Sequence, residues 1–111
     1  MDPLPVENLF KNLPSSMTDE EFSTIAEGRG VRIERIVSQG HSSPSSGWYY
    51  QELDEWVIVL RGQAQIELEG GQNHQLGEGD HLAIPAHTKH KVTWTSPQEP
   101  TIWIAVHFQS K

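Results

Sequence analysis

The chain has 111 residues, enough for one domain with a real but modest core. It contains no cysteine, which excludes disulfides, iron–sulfur clusters and thiol nucleophiles. Eight Lys and Arg stand against fifteen Asp and Glu, a formal net charge of −7. That balance argues against a nucleic-acid partner and against docking on anionic lipid.

No apolar run approaches the roughly 18 residues a membrane span requires. The opening Met1-Asp2-Pro3-Leu4-Pro5 is acidic and broken by proline, unlike a secretory leader. A cytoplasmic protein is the expectation. Residues 1–17 read as an arm with a small apolar cluster at Leu9, Phe10 and Leu13. Exposure of Phe10 would be unfavourable, so docking of this arm on a partner subunit is one expectation and disorder the other. Thr18-Asp19-Glu20-Glu21 has the form of a capping box. Phe22, Ile25 and Ala26 follow at helical spacing, and Gly28 and Gly30 would stop a short helix. Residues 1–30 are therefore expected as arm and helix.

From Val31 onward everything reads as strand and turn, through residue 111. Val31–Arg35 alternates, Gly40–Gly47 is a Ser/Pro/Gly loop, and Trp48–Gln51 reads as a second strand. Glu55–Leu60 and Gln63–Glu69 follow, with Gly70-Gly71-Gln72-Asn73 as a hairpin turn. His74–Leu76, His81–Pro85, His90–Thr95 and Thr101–Phe108 complete about eight short strands. Such spacing indicates an all-β sandwich or barrel with antiparallel order.

Two stretches carry a more specific pattern. Glu55 is followed after six residues by Gly62. Gly79 is followed after five by Pro85, with His90 five residues beyond. Together with the strand pattern, these resemble the two motifs of the cupin superfamily, over roughly residues 31–108. The resemblance implies a double-stranded β-helix, a jelly-roll-like barrel with a central pocket into which Glu55 and His90 point. It also implies a divalent metal in many members and a dimer in many, and the Trp and Ile that a short barrel must cover on its outer face lead to the expectation of a homodimer. The departures are informative. The two histidines of the first motif fall on Tyr49 and Gln51, and the second glycine of the second motif falls on His87.

On that alignment Gln51, Glu55 and His90 are the candidate metal ligands. A set of two oxygens and one nitrogen would favour zinc, manganese or iron over copper(I). Tyr49 is a candidate fourth ligand or general acid/base, and His41 a candidate base folding over the pocket. His107 shares a strand face with Trp103 and Ala105, and is either a pocket residue or a satisfied core histidine. Trp94, on one face with His90 and Val92, is the expected pocket aromatic. His74, His81 and His87 read as surface residues.

Three functions remain open at this point. A bound metal would make the chain an enzyme of oxygenase, lyase, isomerase or hydrolase type. Without a metal, the pocket would bind or sense a small molecule, with Glu55 partnered either directly by His90 or by a Gln51–Glu55–Tyr49 hydrogen-bond network. The third is metal-free acid/base chemistry resembling that of sugar-epimerase cupins. The architecture hosts too many chemistries to choose for us.

Overall fold

The structure, a computed structural model, describes residues 3–14 and 18–110. Parts of the expected arm (Met1, Asp2 and residues 15–17) and Lys111 lie outside them. Among the described residues no helix is long and apolar enough to cross a membrane.

Eight strands follow in chain order. They are β1 (Glu21–Gly28), β2 (Val31–Ser38), β3 (Asp54–Arg61), β4 (Ala64–Leu68), β5 (Gln72–Leu76), β6 (His81–Ile84), β7 (His90–Thr95) and β8 (Thr101–Phe108). One sheet has the order β1-β2-β8-β3-β6 and the other β5-β4-β7. Every pairing is antiparallel. β8 runs through the middle of the larger sheet, between β2 and β3. It is accordingly the most apolar strand, and Ile102, Trp103 and Ala105 are buried. The core lies between the sheets: Val57, Val59, Trp103 and Ala105 of the larger sheet meet Ala64, Ile66 and Leu76 of the smaller.

The expected helix is a strand. Glu21–Gly28 pairs with β2 from Glu21↔Val37 to Gly28↔Val31, with a register shift between Thr24 and Ala26. That irregularity breaks the two-residue alternation, which is why Phe22, Ile25 and Ala26 imitate helical spacing. Tertiary pairing overrides the local preference, because β2 would otherwise present an unpaired edge. Gly28-Arg29-Gly30, read as a helix stop, contains the two-residue turn of a hairpin, with Gly30 at φ +70°. This hairpin crosses the boundary expected at residue 30. Trp48–Gln51, expected as a strand, instead joins β7 by a bridge at Tyr49↔His90.

The described part of the arm packs on the outer surface of its own chain. Arg35 donates to the carbonyls of Leu9, Lys11 and Asn12 and pairs with Glu21 at 2.8 Å. The Phe10 ring lies 4.5 Å from the Arg61 guanidinium carbon. Leu4 and Val6 remain exposed.

Gly62 shows why a glycine stands between β3 and β4. Its φ is +97°, and an added Cβ would lie 2.7 Å from the Thr101 Cα. Both the left-handed backbone and the contact with main chain oppose any side chain. Gly62→Ala is expected to cost about 3 kcal/mol or more, read from the urea midpoint. A variant within about 0.5 kcal/mol of the parent would contradict this packing.

Candidate functional site

A cavity of about 340 Å³ opens between the two sheets. The larger sheet supplies its polar wall through strand alternation. Arg32 on β2, His107 on β8 and Glu55 on β3 stand opposite one another in a single cross-strand row. Glu34 projects from the next inward position of β2. The smaller sheet supplies His90 and Val92 from β7 and Ile66 from β4. Tyr49, Gln51 and Ser43 come from the segment between β2 and β3. That segment is held to β7 by the Ser43↔Val92 and Tyr49↔His90 bridges. The backbone bonds of the latter, 2.7 and 3.1 Å, bring the Tyr49 ring beside the His90 imidazole, with centroids 5.6 Å apart.

A chain of four side chains crosses the cavity wall. His90 Nε2 lies 3.0 Å from Glu55 Oε1, and its Nδ1 lies 2.9 Å from the Thr88 carbonyl oxygen. Both neighbours are acceptors, so the arrangement suits an imidazolium that donates from both nitrogens. Burial opposes that charge, but the bonds to Glu55 and Thr88 outweigh it and raise the His90 pKa above its ordinary value. His107 Nε2 lies 3.1 Å from Glu34 Oε1 and 3.9 Å from Glu55 Oε2. The Tyr49 phenol is raised too. Burial is the main cause, opposed by a Ser43 hydrogen bond and aided by the carboxylates of Glu20, Glu55 and Glu34. It therefore keeps its proton at neutral pH.

Of the residues singled out from the sequence, Tyr49, Gln51, Glu55, His90 and His107 line this cavity. Two do not. Trp94 is 38 % exposed and belongs to the outer surface. The register of β4 with β7 runs Gln65↔Trp94 and then Ile66↔Val92, leaving Thr93 as an extra residue. That bulge reverses the alternation, so Thr95 turns inward and Trp94 outward. His41 lies outside the cavity lining. Its Nδ1 accepts from the Gln39 N–H and its Nε2 faces the Thr18 carbonyl, which fixes a loop.

Sequence reasoning missed Arg32, Glu34 and Glu20. In β2 the polar face, Arg32 and Glu34, points into the barrel, whereas the more apolar face carrying Val31 and Ile33 points out. The alternation was visible, but not its direction. Trp103, buried in the core, also borders the cavity.

The donor set does not fit a resident metal. Glu55 and His90 are strong donors, but Gln51 adds only a neutral amide, and His107 Nε2 is turned to Glu34. Among the described residues no three His, Asp or Glu side chains converge as a metal requires.

Two antiparallel sheets closed on an internal pocket, with Glu55 and His90 meeting across it, define a class of β-barrel binding folds. The particular family follows from comparison: residues 34–107 match the Cupin domain model, and the chain belongs to that family. It is similar to a candidate mannose-6-phosphate isomerase from Ralstonia eutropha JMP134, with 44 % identity and a TM-score of 0.90 over 96 % of this chain and 100 % of that one. A Streptococcus pyogenes protein of unknown function shares the fold at 17 % identity, with a TM-score of 0.75 over 100 % of this chain and 92 % of that one. A cupin superfamily protein from Desulfitobacterium hafniense DCB-2 does so at 18 % identity, with a TM-score of 0.72 over 88 % and 84 %.

The raised His90 pKa has a signed consequence. A histidine whose pKa is higher folded than unfolded contributes its full stabilisation below the unfolded value of about 6.5. It loses that contribution as pH rises through the folded pKa. The stability difference between the parent and His90→Gln should therefore be largest near pH 5.5 and shrink toward pH 9, measured by urea unfolding. A difference that grows with pH would refute the imidazolium–carboxylate assignment.

Proposed function

We propose that this cupin binds one small molecule in its barrel without a resident metal. The Glu55–His90 pair forms the polar end of the pocket, with Tyr49, Gln51 and His107 beside it. The observation that carries this reading is the 3.0 Å contact between Glu55 Oε1 and His90 Nε2. A buried carboxylate without a partner is costly, and a metal is one way to relieve it. Here the imidazolium relieves it directly. Support also comes from four buried polar atoms that lack a hydrogen-bond partner: Arg32 Nε, Gln51 Oε1, Trp103 Nε1 and His107 Nδ1. All four belong to cavity-lining residues, so the wall is under-satisfied where a ligand would sit.

A second reading rests on the relative named as an isomerase. Aldose–ketose isomerisation moves a proton between neighbouring carbons and needs a base and an acid in one pocket. The Glu55 carboxylate would be the base and the Tyr49 phenol the acid. Sugar turnover would be the readout that favours this over binding alone.

The decisive experiment is elemental analysis of the chain purified without tag or chelator, then dialysed against zinc, manganese and iron in turn. The expected result is well under one metal per chain in every case after gel filtration. One retained metal per chain overturns the metal-free reading.

We also propose a homodimer formed through the outer face of the larger sheet. Ile33, Val106 and Trp56 form one outward cross-strand row, and Ile104 and Ile58 another. The arm covers part of this face near Ile33 and Ile104, and the remainder is unusually apolar for a sheet surface that meets water. Light scattering after gel filtration should give twice the chain mass at micromolar concentration; the mass of one chain would reject the dimer.

A further inference from the structure

The carboxylates of the cavity wall outnumber its permanent cation. Three carboxylates border the cavity (Glu20, Glu34 and Glu55) against one guanidinium, Arg32. Arg32 Nε lies 3.7 Å from Glu34 Oε2, so the one permanent cation already faces a carboxylate of the same wall. The imidazoles of His90 and His107 lie 3.0 and 3.1 Å from carboxylate oxygens. With both imidazoles protonated, three cations meet three anions and the lining reaches formal neutrality. With either one neutral, the lining is negative. In no protonation state of the histidines does an anion meet surplus positive charge. The whole chain, at −7, adds a field of the same sign.

An anionic ligand such as a sugar phosphate needs the opposite arrangement: free guanidinium or ammonium groups, or helix N-termini, aimed at its oxygens. Among its described residues this barrel offers no helix, and its one lining guanidinium stands 3.7 Å from the Glu34 carboxylate, although Arg32 Nε makes no hydrogen bond. The rest of the wall is aromatic and aliphatic, with Phe22, Tyr49 and Trp103 able to meet a ring or a cation. A dry cavity of about 150 Å³ accommodates benzene. The volume here, about 340 Å³, takes a ring with a substituent.

Building on the pocket reading above, we infer that the cavity selects a small amine, an apolar body carrying one positively charged nitrogen, and rejects phosphate- and carboxylate-bearing molecules. The ammonium is held at the carboxylate wall and the apolar body lies against the aromatic and aliphatic side. This departs from the substrate in the Ralstonia relative's name.

Isothermal titration of the full chain at pH 7 tests it, with benzylamine, benzyl alcohol, benzoate and mannose 6-phosphate as probes. The first three share one ring and differ in charge. Benzylamine should bind at least about tenfold tighter than benzyl alcohol, and the two anions should give no saturable heat. Glu20→Gln removes one wall charge outside the Glu55–His90 pair. It should weaken benzylamine about tenfold and leave benzyl alcohol unchanged. Glu78→Gln, on an exposed turn remote from the cavity lining, should change neither. Equal weakening by both variants would place the amine on the general surface and overturn the inference. Benzyl alcohol, benzoate or mannose 6-phosphate binding as tightly as the amine overturns the charge selection while leaving the pocket reading standing. No binding by any of the four overturns both.

Discussion

The contact between Glu55 and His90 is the interaction on which the rest of this barrel turns. Glu55 belongs to the larger sheet and His90 to the smaller, 35 residues apart in sequence. Both side chains are almost wholly buried, at 10 % and 6 % exposure. Removing either charge from water is costly, and only close pairing with further hydrogen bonds offsets that cost. The Thr88 carbonyl completes the histidine's needs. His107 stands near the other carboxylate oxygen and hands the network on to Glu34. One ion pair thus joins the two sheets at that end of the cavity and, with Thr88, leaves no free nitrogen on His90.

The geometry around the pair follows from main-chain constraints. Tyr49 reaches it because the segment between β2 and β3 forms a reciprocal backbone bridge to His90 itself. Gln51 accepts the His87 N–H at 2.8 Å through its carbonyl, tying that segment to the turn before β7. His87 has φ +62°, where the family's second motif carries glycine. The left-handed backbone of that turn is therefore retained although its usual residue is not, at a cost of about 1–2 kcal/mol for a residue with a Cβ. The same turn holds Ala86 N on the Asp54 carboxylate at 2.7 Å, which joins it to the start of β3. Hydrogen bonds from the Ser110 hydroxyl, and from the Ala86 N–H, keep the Asp54 carboxyl below its usual range. The motif is thus a set of loop ties that deliver two side chains to one point.

Charge then decides what such a pocket accepts. The fold alone is shared with proteins under 20 % identical to this chain and says nothing of ligands. On the charge reading, a cavity bordered by three carboxylates and one guanidinium is a poor host for a phosphate, whatever the barrel around it. The face toward solvent raises a separate question, since apolar rows run across the outside of the larger sheet. The arm pinned by Arg35 covers part of that surface, near Ile33 and Ile104.

Much of this was legible in the chain itself. Turn residues and alternation after Val31 pointed to an all-β sandwich or barrel, and the spacing of Glu55, Gly62, Gly79, Pro85 and His90 carried the resemblance that implied a pocket holding Glu55 and His90. Those features are local, or depend on fixed numbers of residues between turns. What needed the tertiary structure was every feature set by pairing between distant strands. Glu21–Gly28 is extended because β2 offers an edge, which no local propensity records. Trp94 faces outward because Thr93 bulges against β4, and a one-residue shift reverses every later side chain. Arg32 and Glu34 enter the cavity because β2 presents its polar face inward, a choice that alternation alone leaves two-fold ambiguous. The sequence names the residues that can meet; only long-range register decides which of them share a wall, because register is settled by partners far along the chain.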